Sequence, residues 1–134
     1  CDPRRQLREQ WDLAGVDLVG GMPDDVVRER ANDPMSIVIT LTHDPRIDDM
    51  ALMEALTTRA FYVGALGSAR TSAARRRRLA ELEVTEQQLQ RLHAPVGLPI
   101  GSKTPYEIAI SILAELTRCR SENVRVMAEA KLQD

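Results

Sequence analysis

The chain has 134 residues, 18 basic and 20 acidic, for a formal net charge of −2. One compact domain burying roughly two-thirds of its unfolded surface is expected at that length. Apolar residues make up 43% of the chain but aromatic residues only 3%, so the core must be aliphatic and a disordered chain is excluded. So few rings and no basic excess argue against nucleic-acid binding by base stacking, and no apolar run of about 18 residues is present to span a membrane.

In chain order, Val16-Asp17-Leu18-Val19 reads as a short strand closed by Gly20-Gly21. Pro23-Asp24-Asp25 opens a helix to about Ala31, with proline at its start and acids in its first turn. Ser36 to Leu41 is a nearly unbroken aliphatic run, which suits a strand inside a parallel sheet covered on both faces. Asp48 to about Thr57 predicts a helix, and Phe61-Tyr62-Val63 a strand that passes into Gly64-Ala65-Leu66-Gly67-Ser68. A helix is expected from Ser68 to about Glu83 and a shorter one from Thr85. The stretch from His93 to Lys103, with Pro95, Gly97, Pro99 and Gly101, reads as irregular.

Thr104-Pro105-Tyr106-Glu107 has the parts of a capping box for a long last helix. On that helix Glu107, Ser111, Glu115 and Arg118 form one polar stripe, and the apolar remainder predicts burial around most of the circumference. Strands alternating with helices in this way predict an α/β, doubly wound parallel sheet in a three-layer α/β/α arrangement.

Ligands of such sheets bind outside the carboxyl ends of the strands. This nominates the loop with Thr42-His43-Asp44-Pro45 and the turn with Gly64, Gly67 and Ser68, followed by Arg70 and Thr71. Glycines admit a ligand close to the backbone, and the free amides of a following helix suit a phosphate or carboxylate. A tight strand-to-helix turn that binds nothing fits the same residues, since the stretch is neither a full Gly-x-Gly-x-x-Gly fingerprint nor a Walker loop. His43 and Asp44 suit ligand contact or proton transfer. Asp44 capping the turn before Pro45, with His43 on the surface, fits the spacing slightly better, and His93 before Ala94-Pro95 is equally open. The two histidines lack metal-motif spacing, and Cys1 and Cys119 make neither a disulfide framework nor a zinc site, so no metal is expected and a reducing, cytoplasmic setting is the default. Arg75 to Arg78 fan out at about 100° each and read as a solvated helix surface.

Taken in order, five stretches resemble the C-terminal nucleotide-binding-like domain of the xanthine dehydrogenase accessory (XdhC/CoxI) family. They are Cys1-Asp2-Pro3-Arg4; Thr42 to Pro45 with Asp48-Asp49; Phe61 to Ser68 with Thr71; His93 to Leu98 with Ile100-Gly101; and Thr104-Pro105 with Glu107 to Glu115. The resemblance implies a Rossmann-like fold and a cytoplasmic molybdenum-cofactor (molybdopterin) binder. Such a protein supports cofactor sulfuration and insertion into a xanthine dehydrogenase-type molybdoenzyme and is a non-catalytic chaperone more than an enzyme. A cysteine desulfurase is a further candidate partner, a homodimer stays open, and neither nucleic acid nor membrane is expected. The cofactor-binding candidates it implies are Asp2, His43, Asp44, Gly64, Gly67, Ser68, Thr71 and His93, with Asp2 closing the second Rossmann strand, where an acid commonly accepts from a ribose. An NAD(P)-binding oxidoreductase of the same fold is the alternative.

Family members carry a first strand and glycine-rich turn ahead of the segment matching Asp2-Pro3-Arg4. The chain is therefore expected to lack its first βα unit, with a gap between Val16–Val19 and Ser36–Leu41 where a central strand would lie. Residues 1–121 would form the partial domain and 122–134 a helical or flexible tail.

Overall fold

The computed structural model describes residues 1–133, without the side chain of residue 133. Two compact units divide at Pro95 and Val96. The first holds three parallel strands in the order β1-β2-β3: β1 (Ile37–Thr40), β2 (Tyr62–Ala65) and β3 (Leu92–His93). Ile37 stands beside Tyr62 and Thr40 beside Ala65, while Val63 and Gly64 stand beside Leu92 and His93. The ladder extends one residue past each end, because the Phe61 amide donates to the Ser36 carbonyl (2.8 Å) and the Leu66 amide to that of Thr40 (2.9 Å).

The helices of this unit are α1 (Arg5–Glu9), α2 (Pro23–Arg30), α3 (Pro45–Ala55), α4 (Ala69–Glu81) and α5 (Glu86–Gln90). Their starts follow local chemistry. Pro23 and Pro45 occupy first-turn positions where no amide is needed. Asp44 caps α3 by accepting from the Arg46 amide. Ser68 and Thr85 each form a capping box, with Thr71 and Gln88 respectively. The core is aliphatic, built on Val38, Leu52, Leu56, Val63, Leu79 and Leu92 among others. Two arginines close it at its edges by satisfying carbonyls. Arg76 donates to those of Leu89 and Leu92, and Arg91 to those of Leu56 and Ala60.

Three expectations change in this unit. Val16–Val19 is not a strand. It takes one backbone hydrogen bond, from the Asp2 amide to the Val19 carbonyl (3.1 Å), and an extended segment with no neighbouring ladder cannot satisfy its groups as a strand does. Between it and the free edge of β1 lies a cleft of about 750 Å3, lined by Cys1, Asp2, Val16–Val19 and Ile37–Thr42 among others. This is where the gap was expected. The second change is β3, which forms where irregular chain was expected. It is short because Pro95, two residues on, has no amide to continue the ladder.

The third concerns Arg75 to Arg78. Only Arg77 is a fully solvated member of that run; Arg75 is buried and Arg76 and Arg78 are half-buried in specific bonds. Their 100° fan does prevent one basic face, but it sends three of the four toward acceptors on neighbouring elements.

The second unit contains α6 (Pro105–Gln133), preceded by irregular chain. The expected capping box is present: the Glu107 amide donates to Thr104 Oγ1 (3.2 Å) and the Thr104 amide to Glu107 Oε2 (2.9 Å). The expected burial around most of the circumference is not found: Glu107 and Arg118 are exposed, and the buried residues are the two in the middle of the polar stripe. Ser111 and Glu115, on the polar stripe, are 3% and 6% exposed, whereas Ile110 and Leu113 are 59% and 63% exposed. The cause is the preceding loop. The Gly97 amide donates to Glu115 Oε2 (2.7 Å) and the Leu98 amide to the Ser111 carbonyl (3.1 Å). Gly97, at φ +93°, lets the Ser111 hydroxyl into the space a side chain would fill. Ser111 and Glu115 can be buried because each finds a hydrogen-bond partner there, the Ile108 carbonyl and the Gly97 amide respectively.

Candidate functional site

Parallel strands end at one edge, so Leu41–Asp44 and Leu66–Ser68 emerge side by side after β1 and β2. The glycine turn is shorter than expected. Gly64 is not in it; it lies inside β2, buried and flanked by Ile39 and His93. The strand persists through Ala65 because Thr40 still offers a ladder partner there. The turn proper is Leu66-Gly67-Ser68.

Its chemistry centres on the start of α4. Thr71 Oγ1 donates to the Ser68 carbonyl (3.1 Å) and accepts from the Ser68 amide (2.8 Å), while Ser68 Oγ accepts from the Thr71 amide (3.1 Å). That leaves the Ser68 hydroxyl proton to donate to Thr71 Oγ1, 3.2 Å away, or to a ligand. The amides of Ala69 and Arg70 have no partner within the helix, and Arg70 is exposed in the first turn. Amides, hydroxyl proton, helix dipole and guanidinium all favour an anion. Beneath the turn, Ser72 Oγ is buried without a partner and lies 3.5 Å from the place a β-carbon on Gly67 would take. Thr40 Oγ1, at the end of β1, is likewise buried and without a partner.

The other predicted residues fall as follows. Asp44 is committed twice, capping α3 and pairing with Arg46 (3.0 Å), and the Arg46 hydrogen bond holds its carboxyl below the usual range. His43 is exposed beside it. Both oxygens of Asp2 are occupied by Arg4, at 2.9 Å and 2.8 Å, and that contact lowers its pKa. Asp2 thus lines the cleft as one half of an ion pair. His93 stacks on the buried Tyr62 ring, centroids 4.3 Å apart, on the face of the sheet that also carries Gly64. The structure therefore brings Gly67, Ser68 and Thr71 together and holds Asp2, Asp44 and His93 in other contacts.

Sequence reasoning named Thr42 and Asp48 without assigning them a role, and missed Arg75, which with them ties the two loops together. Thr42 Oγ1 donates to Asp48 Oδ1 (2.8 Å), Asp48 Oδ2 accepts from Arg75 Nη2 (3.0 Å), and Arg75 Nη1 donates to the Leu66 carbonyl (3.1 Å). The available signal was the spacing of Ser72, Arg75 and Leu79, three and four apart, which puts Arg75 on the buried stripe of α4. Among the described residues, no three His, Cys, Asp or Glu side chains are placed to hold a metal ion, and no helix is long and apolar enough to cross a membrane.

Residues 1–116 match the family model described as the XdhC Rossmann domain. The chain belongs to the XdhC family. Its three parallel strands and flanking helices are accordingly part of a Rossmann-like α/β domain. XdhC-type relatives in Escherichia coli K12 include the molybdenum cofactor insertion chaperone PaoD, 35% identical over 88 residues, which is 66% of this chain and 28% of PaoD. The uncharacterised protein YqeB of the same organism is 39% identical over 88 residues, 66% of this chain and 16% of its own. A probable xanthine dehydrogenase subunit of Bacillus subtilis is 29% identical over 103 residues, 77% of this chain and 29% of its own. A crystal structure described as a xanthine dehydrogenase from Bacillus halodurans superposes with a TM-score of 0.71 at 31% identity, covering 90% of this chain and 34% of that one. The chain thus spans 16–29% of the length of these curated relatives.

Proposed function

We propose that this XdhC-type chain is the Rossmann-like part of a molybdenum-cofactor-binding accessory factor for a xanthine dehydrogenase-type molybdoenzyme, working in the cytoplasm and supporting cofactor sulfuration and insertion. Family membership over residues 1–116, with an insertion chaperone among the relatives, carries this reading. The residues present fit such a ligand. Gly67 leaves room at the turn, the Ala69 and Arg70 amides and the Ser68 hydroxyl proton suit a phosphate, and the orphaned Thr40 and Ser72 hydroxyls suit a polar ring system. In this proposal Gly67, Ser68 and Thr71 hold the phosphate end, and His43 and Asp44 border the second loop. Gly64 and His93 support the site from within the sheet, and Asp2 borders the cleft beside β1. When bound, the cofactor carries the molybdenum chemistry of the client enzyme; the roles of this chain are binding and orientation. An NAD(P) reading has less support, because Asp2 is already paired with Arg4.

The test is gel filtration of the intact protein with molybdenum analysis of each fraction, after expression in cells that make the cofactor. Molybdenum is expected to co-elute with the protein and to be reduced in a Ser68→Ala variant. A wild-type protein that elutes without molybdenum or pterin would sink the reading.

A further inference from the structure

We propose that Arg75 is the positioning residue of the site, a buried clasp that holds the two strand-end loops as one preformed cradle. Its side chain is 7% exposed, and its three nitrogens engage three separate places. Nε donates to Asp49 Oδ1 (3.3 Å), Nη2 to Asp48 Oδ2 (3.0 Å) and Nη1 to the Leu66 carbonyl (3.1 Å). Leu66 immediately precedes Gly67, so that last bond fixes the glycine turn. Asp48 accepts in turn from Thr42, so the second bond fixes the loop after β1. The sheet joins the two loops only as far as the Leu66 amide and the Thr40 carbonyl. Beyond that point, the link between them runs through one guanidinium.

Burying this charge is costly, and well-packed apolar residues of similar volume often stabilise a core as well or better. A role in stability alone thus explains little of the arrangement. Arg78 completes the cluster on Asp49 (2.7 Å), leaving two acids matched by two bases. The planar fork of arginine reaches three divergent acceptors at once; a lysine ammonium on the same stem is a single point and cannot.

The inference deepens the reading proposed above, because the cradle it describes is that ligand site. Its test begins without ligand. Amide hydrogen exchange is measured in the intact protein for wild type, Arg75→Lys and Thr42→Val, with Arg91→Met as a control weakened elsewhere. Thr42→Val alters only the first loop, yet exchange at the hydrogen-bonded amides of Leu66 and Ser68 is expected to quicken by about tenfold through local opening. Arg75→Lys is expected to quicken exchange at both loops together, and Arg91→Met to quicken neither selectively. If Leu66 and Ser68 are unchanged in Thr42→Val, or Arg91→Met reproduces the pattern, the proposal is overturned. Should Arg75→Lys fail to fold, Thr42→Val decides. A second arm compares molybdenum co-elution, where Arg75→Lys should retain at most about a tenth of the wild-type content. Retention at the wild-type level also overturns the clasp. A wild-type protein with no molybdenum defeats the proposed function, and the loop coupling is then judged by exchange alone.

Discussion

A methyl group at position 67 would stand 2.6 Å from the Thr71 hydroxyl oxygen, the atom that both donates and accepts in the capping box of α4. Gly67→Ala must therefore displace Thr71 and open the cap. A loss of about 1 kcal/mol is expected from the cap, read as a lower denaturant midpoint, together with reduced molybdenum content. An unchanged midpoint would show that the turn yields without disturbing Thr71. Thr40 presents the opposite case. Its hydroxyl is buried and unpaired, a state that costs about 1–3 kcal/mol relative to an apolar group. Thr40→Val should raise the denaturant midpoint and lower cofactor retention. If it lowers stability, the hydroxyl contributes to the fold and is not held in reserve for a ligand. Both residues were legible in part: the glycine turn is visible as a pattern, whereas an orphaned hydroxyl exists only once its surroundings are packed.

Among the elements, α6 shows how local and tertiary signals separate. Its start is written in Thr104, Pro105 and Glu107, because a capping box needs only residues within one turn of each other. Glu107 accepts from the amides of Thr104 and Lys103, and those bonds hold its carboxyl below the usual glutamate range. A depressed carboxyl stabilises the folded form above its unfolded pKa, about 4.3, and that stabilisation is lost as pH falls through the lower folded value. Wild type should therefore lose stability on acidification below that range, followed by helical circular dichroism in denaturant, and Glu107→Gln, which has no proton to gain there, should lose less. Identical acid profiles for wild type and Glu107→Gln would refute this. Which face of α6 is covered was not legible, because periodicity reports where apolar groups lie and not which neighbour supplies amides for Ser111 and Glu115.

For the molecule as a whole, most charged side chains are exposed, but a small set, Arg75, Arg76, Arg78 and Arg91 among them, fasten distant elements together. Arg91 reaches across more than thirty positions of sequence to the carbonyls of Leu56 and Ala60 (2.8 Å and 2.9 Å), joining the end of α3 to the approach of β2. Arg91→Met would leave both part-buried carbonyls without that donor. The expected cost is about 1–3 kcal/mol, seen as a lower thermal midpoint with no selective change at the ligand loops. A midpoint within experimental error of wild type would show that water replaces the guanidinium. The same long reach defeats sequence reading of Arg75–Arg78: a run of like charge resembles a solvated surface until its acceptors, tens of residues away, are folded into place.

The sequence by itself determined the alternation of strands and helices, the helix caps at Asp44, Ser68, Thr85 and Thr104, and the resemblance to the XdhC family. Those features rest on interactions within a few residues or on patterns along one element. Only the tertiary structure decided that Val16–Val19 stays outside the sheet beside a cleft, that Gly64 belongs to a strand, that Ser111 and Glu115 are the covered residues of α6, and that Arg75 bonds both to Asp48 and to the Leu66 carbonyl. Each depends on which distant backbone group comes within hydrogen-bonding range, and such proximity is a property of the folded chain.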